Sequence, residues 1–216
     1  MDRRIALKNM GYAMGLTVAT PTIISLLQSC GGETGPDWAP VFFSADQGAV
    51  LVKLVDIILP KTDTPSASEV GVHSFLDGYM DAVPEQGEQD MLKMSLDAFI
   101  AAALEESGKA SAADLTAEDL EPVLAARLTK QTEEEETAMY EAIGSYQEAM
   151  ASGQEAALDG GIASRMFANN LRGAVIWSYR TSEQIGENVL AYLPVPGEYI
   201  PCGDVNELTG GKAWSI

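Results

Sequence analysis

An apolar run at helical spacing, Val50, Leu51, Leu54, Val55 and Ile58, comes to a stop at Pro60. Proline has no N–H and pushes the residue before it away from the α region, so no helix continues through Leu59-Pro60. The next residues, Lys61-Thr62-Asp63-Thr64-Pro65, carry side chains that bond nearby backbone groups, and a second proline closes them. Ser68 then stands where it would cap a second helix whose inner face reads Val72, Phe75, Leu76, Tyr79, Met80 and Val83. The stretch predicts two helices joined by a short stiff loop, and the rest of the chain must pack around that unit.

The same period recurs on both sides. Ser44-Ala45-Asp46-Gln47 is a capping-box pattern that opens the first helix. Past the breaker Pro84–Gly87, a third helix is expected from about Glu88 to Glu106, with Leu92, Leu96, Phe99, Ile100 and Ala103 inward and Gly108 as its cap. Thr116 begins a fourth with Leu120, Val123, Leu124 and Leu128, and Thr132 a fifth through Met139, Ile143, Tyr146 and Met150. After a Gly160-Gly161 loop, Met166 to Tyr179 reads as the most apolar helix, with Phe167, Leu171, Ala174, Val175 and either Ile176 or Trp177 inward. A break at Thr181–Glu183 and a short helix around Ile185 to Leu190 lead into Tyr192–Cys202, rich in Pro and Gly. No strand-like alternation of any length appears, so residues 44–216 are expected to form one all-α domain of about seven helices with a Pro/Gly-rich C-terminal loop. At 46% hydrophobic the chain has enough apolar material for a real core.

The N-terminus reads as an address. Arg3-Arg4, followed by Ile5-Ala6-Leu7-Lys8 and a weakly apolar run to Leu27, resembles a twin-arginine export signal, the alternative being an ordinary secretion signal with a fortuitous arginine pair. Leu27-Gln28-Ser29-Cys30 resembles a bacterial lipobox, in which the Cys30 thiol takes a diacylglycerol. Residues 1–29 are then a cleaved twin-arginine-type lipoprotein signal, 30–43 a Gly/Pro-rich tether, and the product is exported to the periplasm or the outer side of a membrane and anchored there by lipid. Trp38 and Phe42-Phe43 mark where the tether docks on the domain. The removed segment carries Arg3, Arg4 and Lys8 against Asp2, so the net charge of −19 becomes −21 from Cys30 onward. Cys202 is then the one remaining thiol, either a small buried side chain or an interface residue.

Such acidity argues against nucleic acid, whose binders neutralise phosphates with Lys and Arg. Cys/His metal spacings and glycine-rich nucleotide loops are absent, so a redox cofactor would sit on another chain. His73 and Asp77, one helical turn apart, could form a base held by a carboxylate, although no Ser or Cys nucleophile adjoins them in sequence. Asp63 with Thr62 and Thr64 could ligate calcium, but loop bonding explains them equally. Glu133–Glu136 suit the start of a helix rather than a metal cage, because consecutive helical residues diverge. No catalytic, cofactor-binding or metal-ligating residue is assigned. Trp177, Tyr179, Tyr192 and Tyr199 read as a core and its lid.

The wording of two segments adds a family. I-L-P at Ile58–Pro60, D-T-P at Asp63–Pro65 and the Gly71-Val72 start resemble the gluconate 2-dehydrogenase subunit 3 family. So do Trp177–Ser182, Gly186 and the Tyr192–Cys202 loop, and the resemblance covers roughly Ser44 to Cys202. It implies a small, exported, non-catalytic partner that escorts, stabilises and membrane-tethers a flavin-containing sugar or alcohol dehydrogenase of the GMC type. FAD would then sit on that larger chain, with a cytochrome c subunit as a further partner. The interface is expected at Pro60, Asp63, Pro65, Tyr199 and Cys202. A helical envelope lipoprotein that binds a small ligand or another protein is the competing reading.

Overall fold

The computed structural model describes residues 38–215 except 196, 199 and 201. The export signal with Arg3 and Arg4, the lipidation residue Cys30 and Tyr199 lie outside the described residues. Eight α-helices are present among those described. They are α1 Ala45–Ile58, α2 Val72–Ala82, α3 Gln86–Ser107, α4 Ala117–Arg127, α5 Glu133–Ala151, α6 Gly160–Thr181, α7 Glu183–Asn188 and α8 Val205–Thr209. A single 3-10 turn spans Ala112–Asp114, and an isolated bridge joins Ala191 to Trp214. The all-α expectation holds, with one helix more than the periodicity showed: α8 is five residues long, too short to carry an apolar period, and is set by its Asp204 and Gly210 caps.

Helices start where their caps dictate. Ser44 and Gln47 bond each other's backbone N–H reciprocally at α1, as do Thr116 with Asp119 at α4 and Thr132 with Glu135 at α5. Gly108 ends α3 with φ 68°, a left-handed conformation that glycine adopts without a Cβ penalty. Three starts differ from expectation: α3 begins at Gln86, within the expected Pro84–Gly87 breaker, because Glu85 and Glu88 form a capping box there. Gly160-Gly161 is not a loop but the first turn of α6, because the Asp159 carboxylate accepts the N–H groups of Gly161 and Ile162. Ser68 does not cap α2. Its N–H and hydroxyl both go to Asp56 of α1, and α2 begins instead after the left-handed Gly71.

The core forms around α3 and α6, the most extensively packed helix pair, with α1, α2 and α4 against them. Phe99 and Phe167 are buried with ring centroids 5.4 Å apart. Truncating either to alanine would cost about 3–5 kcal/mol through lost burial and the cavity left. Of the long helices α5 contributes least: Met139 is its sole buried residue, while Tyr140 and Met150 are exposed.

The N-terminal edge of the domain is fastened by α2. Phe42 and Phe43 are buried, so this part of the expected tether is core. Their N–H groups, with that of Val41, all donate to the Asp77 carboxylate at 2.7–3.0 Å. A buried carboxylate is costly unless its lone pairs are taken, and three backbone donors take them here. To bring Asp77 inward, α2 turns Val72, His73, Leu76 and Asp77 toward the core, and Phe75 and Val83 face solvent, opposite to expectation.

Candidate functional site

The loop predicted to organise the chain is clamped at both ends. At its start, the Ala67 N–H donates to the Leu59 carbonyl at 3.0 Å, and Asp56 holds Ser68 through two bonds of 2.8 and 2.6 Å. At its far side the Tyr179 hydroxyl, on α6, donates to the Pro65 carbonyl at 2.7 Å. Lys61 pairs with Glu69, whose carboxylate also accepts the Ser66 N–H at 2.9 Å. The Lys61 hydrogen bond, then the Ser66 N–H, holds the Glu69 carboxyl below its ordinary pKa. Pro60 and Asp63 are exposed on this braced loop, and Pro65 is half-buried. Thr62 donates its N–H to the Thr64 carbonyl at 3.0 Å, so loop bonding accounts for these threonines. Among the described residues, no cluster of three or more His, Cys, Asp or Glu could hold a metal.

His73 and Asp77 are brought inward together, at 2% and 1% exposure. Trp38 covers His73 edge-on at 4.8 Å, and the Asp77 oxygens are committed to residues 41–43. A general base must reach a proton on a substrate, and this pair is sealed beneath the segment it anchors. The geometry is that of a clasp.

Turning α2 inward along His73 and Asp77 leaves a second stripe outside. Phe75 and Tyr79 stack at 6.1 Å, and Trp177 of α6 meets them at 5.5 and 5.6 Å. Phe75 is 47% exposed and Trp177 44%. Both were expected in the core, Trp177 as the alternative to Ile176, which is also exposed. On α6, Ser164, Ala168 and Ser178 take inward places beside Phe167, Leu171 and Val175. Tyr79 and Trp177 wall a pocket of about 310 Å³ with Leu76, Met80, Gly173 and Ala174. Single exposed apolar residues are ordinary, but three aromatic rings in contact at the surface, beside an apolar hollow, make this the candidate contact surface of the domain. The signal in the sequence was the i, i+4 pair Phe75/Tyr79 running alongside a separate Val72/Leu76 pair, two apolar stripes on one eleven-residue helix.

Two of the basic residues around the clefts beneath α5, Arg127 and Arg165, are already employed. Arg165 donates to the carbonyls of Arg127 and Thr129 at 2.7 and 3.0 Å, and Arg127 donates to Ser164 at 3.1 Å. They close the end of α4, whose carbonyls would otherwise go unpaired.

Cys202 is a free, exposed thiol, so burial is not its fate. Tyr192, Leu193 and Val195, upstream on the same segment, are exposed as well, so Tyr192 is not a core residue. A family model described as gluconate 2-dehydrogenase subunit 3 matches residues 45–197, a span that contains the braced loop and the aromatic cluster. No curated protein and no solved structure matches the chain.

Proposed function

Because the chain belongs to the gluconate 2-dehydrogenase subunit 3 family, we propose that it is the non-catalytic accessory subunit of a flavin-dependent, GMC-type sugar or alcohol dehydrogenase. In this reading it escorts the catalytic chain through the twin-arginine route by way of Arg3 and Arg4, stabilises it, and holds it at the outer side of a membrane through lipid on Cys30. FAD belongs to the large subunit, which passes electrons onward, with a cytochrome c subunit as the acceptor. The family match over 45–197 carries the reading. It is supported by the exposed aromatic cluster on a rigid helical body, the kind of surface that a subunit presents to its partner.

Purification from native membranes through a C-terminal tag, with an absorbance scan and mass spectrometry of the eluate, tests it. The expected result is a yellow complex with a larger dehydrogenase chain. A colourless eluate of this chain alone, from cells that make the dehydrogenase, overturns the reading and leaves a ligand-binding lipoprotein.

A further inference from the structure

Building on the accessory-subunit reading, we propose that the pocket lined by Gly173, Tyr79 and Trp177 receives an apolar anchor side chain presented by the dehydrogenase subunit. The starting observation is Gly173 itself. It lies in the interior of α6, a helix of 22 residues, where glycine is the poorest choice short of proline. No packing demand explains it, because a Cβ built there meets no atom within 4 Å. Its backbone conformation is ordinary helix, open to any residue. Gly78 of α2 and Gly144 of α5 are equally open, but Gly173 is the one of the three that lines the hollow, where its missing side chain keeps space empty beside Trp177.

The pocket's chemistry narrows the occupant. The only polar side-chain groups among its lining residues are the Tyr79 hydroxyl and the Trp177 indole N–H, whereas small-molecule sites combine an apolar wall with several convergent polar groups. At about 310 Å³ and open to solvent, it suits one inserted side chain. Trp and Tyr beside such a hollow, with Phe75 extending the contact, match the anchor arrangement of protein interfaces. Net charge disfavours the simplest competitor: at −19, two copies of this chain repel, so the surface suits a different, less acidic chain.

The test uses the purified full chain and its purified dehydrogenase chain, titrated by biolayer interferometry, with melting curves and sedimentation recorded for every variant. Gly173→Leu puts a side chain into the pocket while improving helix propensity, so melting temperature should hold or rise and Kd should weaken at least about tenfold. Gly173→Ala, which adds one methyl, should raise melting temperature with a smaller loss of affinity. Trp177→Ser, which removes a wall, should weaken binding without unfolding the chain. If wild type does not bind the dehydrogenase at all, the accessory-subunit reading itself fails. If wild type binds and folded Gly173→Leu and Trp177→Ser bind equally well, the anchor pocket is refuted and the reading survives. A wild-type homodimer that Gly173→Leu dissociates would put a second copy in the pocket and overturn the proposal.

Discussion

The Tyr179 hydroxyl donates to the Pro65 carbonyl across 2.7 Å, joining residues 114 positions apart in the chain. This bond connects the two segments on which the family resemblance rests, the Pro60–Pro65 loop and the C-terminal end of α6. It also explains the aromatic at position 179, which packs its ring against the core while its hydroxyl braces the loop.

Tyr179→Phe keeps the ring and deletes the brace. Stability should fall by about 1 kcal/mol, the net worth of one hydrogen bond. Amide exchange should accelerate in residues 61–66 more than in the α3–α6 core, because the loop opens locally. Exchange mass spectrometry reading the same protection in both proteins would remove the bracing role.

Asp77→Asn should be far more damaging than its near-isosteric size implies. The three N–H groups of residues 41–43 would face an amide with one acceptor oxygen and an NH2 that repels donors. The asparagine oxygen can keep the Phe42 and Phe43 N–H groups that share Oδ1 and leaves the Val41 N–H against the NH2, so a loss of about 1–3 kcal/mol in urea unfolding is expected. Limited proteolysis should then cut around Val41–Phe43 before the helical body. Were the pair catalytic instead, His73→Gln would abolish an activity of the purified chain, and none is expected.

At α4 the pH dependence has a defined sign. The Lys109 hydrogen bond, followed by the N–H and hydroxyl of Thr116, holds the Asp119 carboxyl at about 2, below its ordinary 3.8. A carboxyl depressed in the folded state contributes stability above its unfolded pKa and loses it as pH falls through the folded one. The α4 capping box should therefore weaken between about pH 4 and pH 2, and the exposed site keeps the effect modest. Carboxyl carbon NMR should show the Asp119 titration moving upward in Lys109→Met, with Glu118 as internal control. An unmoved midpoint would assign the depression to Thr116 alone.

What the residues reveal in advance follows a physical division. Caps and breakers act within a few residues, so Ser44, Gly108, Thr116, Thr132 and Pro60 are readable from the chain alone. The core positions of α1, α3 and α4 were legible because each helix has a single apolar face. On α2 and α6 two apolar stripes compete, and hydrophobicity does not say which one a partner will cover. The decision falls to long-range polar bonds, Asp77 to Val41–Phe43 and Tyr179 to Pro65, which no local window contains. That is why the loop was found and the aromatic cluster beside Gly173 was not.

The N-terminal segment lets escort and tether be separated. The twin-arginine route carries folded cargo, so a signal-less dehydrogenase bound to this chain would travel with it. Arg3→Lys with Arg4→Lys should therefore keep both chains in the cytoplasm, still associated and still flavin-loaded. On the proposed lipid anchor, Cys30→Ser would remove the thiol that takes the lipid but leave the arginine pair, so the complex should reach the outer side and appear in the soluble fraction. Fractionation with immunoblotting of both chains reads the two outcomes. A dehydrogenase exported normally beside the arginine variant ends the escort role and leaves the tether. A Cys30→Ser complex that stays on the membrane ends the tether and assigns anchoring to another subunit.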